Sequence, residues 1–159
     1  DRGYIGDRRK MIVRPFKVTD YTYARLVNNI GLEHWGLVKG VIPMLQHMAQ
    51  TGTFWTLWDG DEVVLIAGWY DAWQGVCEVC LFPTERFIKN PVGALRLLVK
   101  KLKELQKKYH RIQISCRREK LFTDFARRLG FQTEGILRRF GHDGQDHVMM
   151  SMVEDTWPR

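Results

Sequence analysis

The chain has 159 residues, of which 45% are hydrophobic, so it has enough apolar material for one domain with a substantial core. No apolar run approaches the roughly 18 residues that a membrane helix needs, and the charged opening segment lacks the apolar centre of a signal peptide. The net charge of +7 is compatible with an anionic cofactor or partner. We therefore expect a polar extension over residues 1–10, one domain over 11–159, and a cytoplasmic location.

Hydrophobic periodicity and turn residues divide the chain into strands and helices. Asp59-Gly60 separates two β-prone runs and predicts a tight hairpin, because this pair tolerates the positive φ that such turns require. Gly68 lies inside the second run and indicates a bulge or a close backbone approach. In chain order the pattern predicts a strand over 11–15, a helix over 19–30, a helix over 43–49, hairpin strands over 53–58 and 62–71, a strand over 77–82, a helix over 91–109, a strand over 111–116, a helix over 121–129 and two C-terminal strands.

Residues 77–109 are the best place to look for chemistry. Asn90-Pro91 supplies an N-cap residue followed by proline at the first helical position, so a helix should begin at Pro91. One apolar stripe of this helix should be buried: Val92, Leu95, Leu98, Leu102, Leu105 and Tyr109. Gly93 and Ala94 carry no bulky side chain in the first turn, so an anion could approach the free backbone N–H groups and the positive end of the helix dipole. The segment predicts a phosphate site.

The same segment resembles the acetyl-CoA-binding segment of the GNAT N-acetyltransferase superfamily. The run LFPTER, residues 81–86, is followed by a loop, Gly93 and an amphipathic helix, as in that family, where the helix N-terminus holds the pyrophosphate of CoA. Arg86 matches the family's Arg or Gln and Gly93 its last glycine, but Lys89, Asn90 and Pro91 stand where a central glycine is usual. The resemblance implies that acetyl-CoA contacts Leu81, Phe82, Pro83, Arg86, Lys89, Val92, Gly93 and Ala94.

The resemblance covers nearly the whole chain from Met11. Leu129-Gly130-Phe131 enters a strand, and an Asp143-Gly144 turn precedes a final apolar strand, as in GNAT proteins that acetylate protein N-termini or antibiotics. It implies an α+β GNAT fold with a mixed, mostly antiparallel sheet of about six or seven strands and about four helices. It also implies a primary amine of a small molecule or polypeptide as acceptor, on a side where His34, Trp35 and His47 could contact it, with core or surface packing as the alternative for each of these residues.

Acetyl transfer to an amine needs a base for the amine proton, donors for the tetrahedral oxyanion and an acid for the leaving thiolate. Glu78 is the one carboxylate inside the predicted fourth strand, so it is the candidate base, and a hydrogen-bonded structural glutamate is the alternative. The family's tyrosine acid is replaced here by Phe125-Ala126, which leaves the acid unassigned. The last hairpin carries a polar cluster that is interpreted either as an ordinary turn or as catalytic: His142, Asp143, Asp146 and His147.

The three cysteines do not indicate a disulfide framework, because their number is odd. Cys77 and Cys80 spell C-x-x-C, but residues three apart in a strand point to opposite faces, so the two thiols should not bind one metal ion. We predict buried structural cysteines and no metal site.

The long helix carries five lysines over residues 100–108. They alternate with its core positions, so a solvated helix face is favoured over nucleic-acid binding, and no aromatic-plus-basic strand motif supports the latter. No membrane partner is expected, and a homodimer is compatible with the sequence.

Two function classes therefore stay open. The first is an acetyl-CoA-dependent N-acetyltransferase. The second is a GNAT-shaped protein without turnover that serves as a binding or structural component. The missing tyrosine, the glycine-poor loop and the Lys-rich helix also resemble the internal virion protein A group of short-tailed phages, which would place the protein in a phage virion.

Overall fold

The fold is built on a seven-stranded mixed sheet. The computed structural model describes residues 11–26 and 41–154. The strands are β1 (Ile12–Pro15), β2 (Phe54–Asp59), β3 (Glu62–Trp73), β4 (Val76–Pro83), β5 (Arg111–Arg117), β6 (Gln132–Leu137) and β7 (His147–Val153). The helices of the described part are α1 (Val18–Leu26), α2 (Val41–Thr51), α3 (Glu85–Lys89), α4 (Val92–Gln106) and α5 (Lys120–Leu129).

The strands lie in the order β1-β2-β3-β4-β5-β7-β6. β4 and β5 run parallel, and every other neighbouring pair is antiparallel. A parallel pair needs a long crossover, which α4 supplies between β4 and β5. The predicted α+β fold with a mostly antiparallel sheet is therefore confirmed.

Each face of the sheet has its own core. The face toward α4 and α5 buries, among others, Leu65, Cys77, Leu98, Leu102 and Met150. The opposite face, toward α1 and α2, buries Phe16, Tyr21, Leu45, Ile66 and Phe82. Cys77 belongs to the first core and Cys80 packs against the second, so the two cysteines point to opposite faces, as the strand periodicity predicted.

The turn and glycine predictions are confirmed at Gly60 and Gly68, and a further glycine, Gly130, ends a helix. Gly60 has φ +64° in the β2–β3 turn, and Gly130 has φ +104° where it ends α5. Gly68 marks a close approach, because a Cβ there would lie 2.4 Å from the ring of Phe54 and 2.7 Å from its Cα. No other residue type would fit there without moving β2 away from β3.

The connection from β4 to α4 differs from the prediction. It contains the short helix α3, which the sequence pattern did not indicate. Asn90 is the C-cap of α3, not the N-cap of the next helix, and Pro91 is the N-cap of α4. Proline therefore stands one position earlier than expected, and the hydrogen-bonding side chain that usually caps a helix is missing. Val92, predicted to be buried, is exposed.

Some predictions concern residues outside the described part of the chain: the polar extension over 1–10, and His34 and Trp35 on the acceptor side. His47 lies in α2 and is exposed. Within the described ranges, none of the helices has the length and apolar character needed to cross a bilayer.

Candidate active site

The sheet opens between its two parallel strands. β4 and β5 pair at three positions only, and the last of these joins Glu78 to Gln113. Beyond that point β4 keeps pairing with β3 as far as Pro83, while β5 keeps pairing with β7 as far as Arg117. Because each strand follows a different neighbour, the two diverge into a V whose apex lies at the Glu78–Gln113 pair. Backbone groups of β4 and β5 that face this gap have no ladder partner across it.

A cavity of about 460 Å³ fills the V. Its walls are β4 from Glu78 to Pro83, β5 from Ile114 to Arg117, α5, and the segment before β7. The apolar part of its lining includes Phe122, Phe125 and Ala126 of α5. The polar part lies in two places. Glu78 and its ladder neighbour Tyr70 lie at the apex, whereas His142, Asp143 and His147 line the open end, where Asp143 and His147 are joined to Arg117. Consecutive residues of β4 line it, so the cavity is a slot along the edge of that strand.

Glu78 lies at the apex of the slot and is partly buried. Its Oε2 accepts a hydrogen bond of 2.7 Å from Nε2 of Gln113. Its Oε1 lies 3.5 Å from the Ser115 hydroxyl, which is a long and weak contact. One carboxylate oxygen is therefore held firmly, and the other keeps capacity to accept a proton or a further donor.

The two cysteines that line the slot are in their thiol form at neutral pH. Burial and the nearby carboxylate of Glu78 raise the pKa of Cys80 to about 12. Burial also raises the pKa of Cys116. Because the thiolate is the nucleophilic form of cysteine, neither side chain is poised to attack a thioester.

The segment that joins β6 to β7 closes one side of the slot. Arg117, at the end of β5, donates a 2.7 Å hydrogen bond to the carboxylate of Asp143, which ties the segment to the wall of the slot. A hydrogen bond from the backbone N–H of Gln145 and the charge of Arg117 lower the pKa of the Asp143 carboxyl group. Phe140 packs edge-on against His147 with 5.2 Å between ring centroids, yet 58% of its surface is exposed. An exposed aromatic ring thus lies at the open end of the slot.

The loop after β4 places its arginine away from the slot. Arg86 donates to the buried carboxylate of Asp59, at 3.1 Å from Nε and also through Nη2, and its Nε lies 3.1 Å from Glu62. Arg86 and Lys89 line a second, smaller cavity of about 140 Å³ that also includes Ala24. The cationic head of Arg86 is therefore paired with two carboxylates of the β2–β3 hairpin.

The first turn of α4 offers backbone donors. The N–H groups of Val92, Gly93 and Ala94 have no intrahelical acceptors there, and the cap residue Pro91 makes no side-chain bond to them. Gly93 faces Met11, since a Cβ on Gly93 would lie 3.0 Å from the Met11 sulfur. The missing side chain of Gly93 thus gives room to Met11, and the adjacent amides fit an anion at the helix N-terminus.

The sequence-predicted site residues fall into three groups. Glu78, Leu81, Phe82 and Pro83 lie together along the slot. Arg86 and Lys89 lie at the smaller cavity, and residues 92–94 form the first turn of α4. Among the described residues, no three His, Cys, Asp or Glu side chains lie close enough to hold one metal ion.

Sequence reasoning missed Gln113, Ser115, Tyr70 and Phe140. The alternation of RIQIS over residues 111–115 did indicate a strand with one polar face. It could not indicate that Gln113 is the last residue to pair with β4, because strand pairing joins segments 35 residues apart.

Comparison with known proteins identifies the fold. The chain matches no family model and no curated protein sequence. Among solved structures it is similar to Ard1 from Thermoplasma volcanium, with a TM-score of 0.71 and 16% identity over 90% of this chain and 97% of that one. It is also similar to YncA from Salmonella typhimurium, solved with its cofactor acetyl-CoA (TM-score 0.66, 13% identity, 94% and 96% covered).

A third similar structure is RimL, a ribosomal L7/L12 α-N-protein acetyltransferase in complex with coenzyme A. Its TM-score is 0.65, with 15% identity over 91% of this chain and 94% of that one. At these identities the likeness is one of architecture, and it extends over nearly the whole of each chain. The chain therefore has the fold of the GNAT acetyltransferases.

Proposed function

We propose that the protein is an acetyl-CoA-dependent N-acetyltransferase that acts on a primary amine of a small molecule or polypeptide. The observation that carries this proposal is the slot between β4 and β5. It is about 460 Å³ in volume, is partly lined by apolar side chains of α5, and has the carboxylate of Glu78 at its apex. A thioester chain can lie along the edge of β4 at Leu81 and Phe82, where β5 no longer pairs with it, with the amine arriving beside Glu78.

The proposed reaction is a direct transfer. The amine nitrogen attacks the thioester carbon, its surplus proton passes to Oε1 of Glu78, and the carbon–sulfur bond breaks to release CoA as its thiolate. Backbone N–H groups of β4 that face the gap are placed to donate to the tetrahedral oxyanion. The raised pKa values of Cys80 and Cys116 argue against an acetyl-cysteine intermediate.

Two measurements test this function. Calorimetric titration with acetyl-CoA should give a Kd in the micromolar range, and single-turnover mixing with a primary amine should form an acetylamide together with free CoA. Mass spectrometry of the protein after acetyl-CoA alone should find no added acetyl group. Absence of binding at millimolar acetyl-CoA would overturn the proposal.

A second candidate is a GNAT-shaped binding or structural protein without turnover, such as a phage virion component. It is favoured by the loop after β4, where α3 replaces a glycine-rich loop and Arg86 is paired with Asp59 and Glu62. Such a protein would keep its fold and form no acetylamide in the single-turnover measurement. Acetyl-CoA binding without turnover toward any amine would favour an acyl-CoA-binding role within this candidate.

A further inference from the structure

A continuous chain of hydrogen bonds leads from the apex of the slot across four strands. Beyond the bond from Gln113 to Glu78, Nε of Arg111 donates to Oε1 of Gln113 at 2.8 Å. The other two nitrogens of Arg111 donate to the two oxygens of Glu134, at 2.8 and 2.6 Å. The Ser151 hydroxyl donates to Glu134 at 2.7 Å. The chain thus joins β4, β5, β6 and β7 behind the apex.

The chemistry of Arg111 fixes the orientation of Gln113. A guanidinium carries only donors, so the atom of Gln113 that faces Nε must be the amide oxygen. The NH2 group must then point at Glu78, where it donates to Oε2. Arg111 cannot turn away easily, because its remaining donors form a two-pronged pair with Glu134.

Burial indicates that this amide has a role beyond filling space. Gln113 is only 9% exposed and lies between Ile112 and Ile114 in the middle of β5. Burying an amide costs its hydration, and hydrogen bonds inside the protein must offset that cost. Gln113 makes its two side-chain bonds to charged partners, Arg111 and Glu78, so its polar side chain is explained by the two groups that it joins.

We propose that Gln113 is a positioning residue for the acetyl transfer, and that Arg111 and Glu134 fix its orientation. Gln113 holds Oε2 of Glu78 and so aims Oε1 into the slot, where the amine proton arrives. The inference rests on the proposed transferase function and names the groups that orient its base. Gln113 and Arg111 touch neither the amine nor the thioester and act only through Glu78.

The test is a double-mutant cycle on kcat, which isolates the coupling between two side chains. We expect Gln113→Leu to lower kcat by about tenfold, since misplacing a reacting group by about 1 Å can cost up to about a hundredfold. The KM for the amine and the Kd for acetyl-CoA should change by less than about twofold. In a Glu78→Gln background the same Gln113→Leu change should leave kcat unaltered. Arg111→Lys, which cannot hold both partners, should show a smaller loss with the same dependence on Glu78.

The matched control is Gln106→Leu, an exposed glutamine at the end of α4 that should leave kcat unchanged. Equal losses from Gln113→Leu in both backgrounds would show a merely structural role and overturn the proposal. So would an unchanged kcat in Gln113→Leu.

A structural measurement covers the case in which the wild-type protein shows no turnover. That result would remove the transferase function and, with it, the positioning role. Crystal structures of the wild type and Gln113→Leu would then still report whether the Glu78 carboxylate rotates when its donor is lost. A carboxylate that keeps its orientation without Gln113 would overturn the inference even in an active enzyme.

Discussion

The apex of the slot and the connection after β4 contrast in how their polar groups are partnered. At the apex, Glu78 is held by Gln113 and keeps one carboxylate oxygen open toward the slot. At the loop after β4, Arg86 is engaged by Asp59 and Glu62 of a neighbouring hairpin. In the proposed function the amine would react at the apex, whereas the phosphates would bind at a second place, the phosphate end, through the amides of the first turn of α4. The two ends are therefore separable by mutation.

The largest effect is expected from a substitution at the apex alone. Glu78→Gln should lower kcat by about a hundredfold or more, because a positioned general base contributes about 10² to 10⁴ in rate. The Kd for acetyl-CoA should stay unchanged, since the phosphate end is untouched. Steady-state kinetics and calorimetry on the same preparation check both expectations. A variant that loses cofactor affinity in parallel with rate would contradict the separation of the two ends.

The second prediction concerns the strand that supports both ends. β3 pairs with β4 along the whole length of β4, and Gly68 lies opposite Cys80 in that ladder. Gly68→Ala should lower the free energy of unfolding by about 2 kcal/mol or more, because its methyl group would collide with the ring and backbone of Phe54. Denaturant unfolding measures the effect.

A second strand glycine provides the matched control. A methyl group on Gly135 in β6 would meet no atom within 4 Å, so Gly135→Ala should change stability by less than about 0.5 kcal/mol. Equal losses in the two variants would show that backbone freedom, and not crowding, explains both glycines.

The third prediction concerns how the pairing of Arg86 affects binding at the proposed phosphate end. Asp59→Asn removes the buried carboxylate that holds Arg86, so the guanidinium becomes able to reach an anion. We expect the Kd for acetyl-CoA to tighten by about fivefold, which corresponds to about 1 kcal/mol. Calorimetric titration of Asp59→Asn measures this change, with Glu62→Gln, which removes only the exposed partner, as the control. Weaker binding in Asp59→Asn would mean that the pair positions the loop for the cofactor.

The smallest effect is expected behind the apex, as a pH dependence of stability. Hydrogen bonds from Arg111 and Ser151 lower the pKa of Glu134 from its ordinary 4.5 to about 2. A carboxyl group whose pKa is depressed by folding adds stability that is fully present above about pH 4.5 and is lost as the pH falls toward 2. Glu134 is partly exposed, so solvent screening reduces the gain.

Glu134→Gln should therefore reduce the loss of folding stability that the wild type shows as the pH falls below about 4.5. Denaturant midpoints at pH 7 and pH 3 would differ less in the variant than in the wild type. An identical pH dependence in the two proteins would show that the pair contributes orientation without measurable stability.

The fold was largely readable from the sequence because its signals are local. The Asp59-Gly60 turn, the glycine that ends α5 and the apolar stripe of α4 each depend on neighbours a few residues away. The GNAT-like order of elements then indicated the sheet. The error at Asn90 has a local cause too, because α3 ends at that residue and leaves the cap position to Pro91.

The site was readable only in part. Glu78 and the run from Leu81 to Pro83 were found because they follow one another in a single strand. Gln113 and the pairing of Arg86 with Asp59 were not, since both depend on contacts between segments 27 or more residues apart. One sequence gives residue types along a strand, whereas the strand register decides which of them meet.

The short β4–β5 ladder has a mechanical consequence. The sheet consists of two antiparallel blocks, β1 to β4 and β5-β7-β6, that meet along a seam of three residue pairs. A molecule lying in the slot would contact both blocks and restrict their movement relative to each other. Occupancy of the slot should therefore increase the rigidity of the whole sheet.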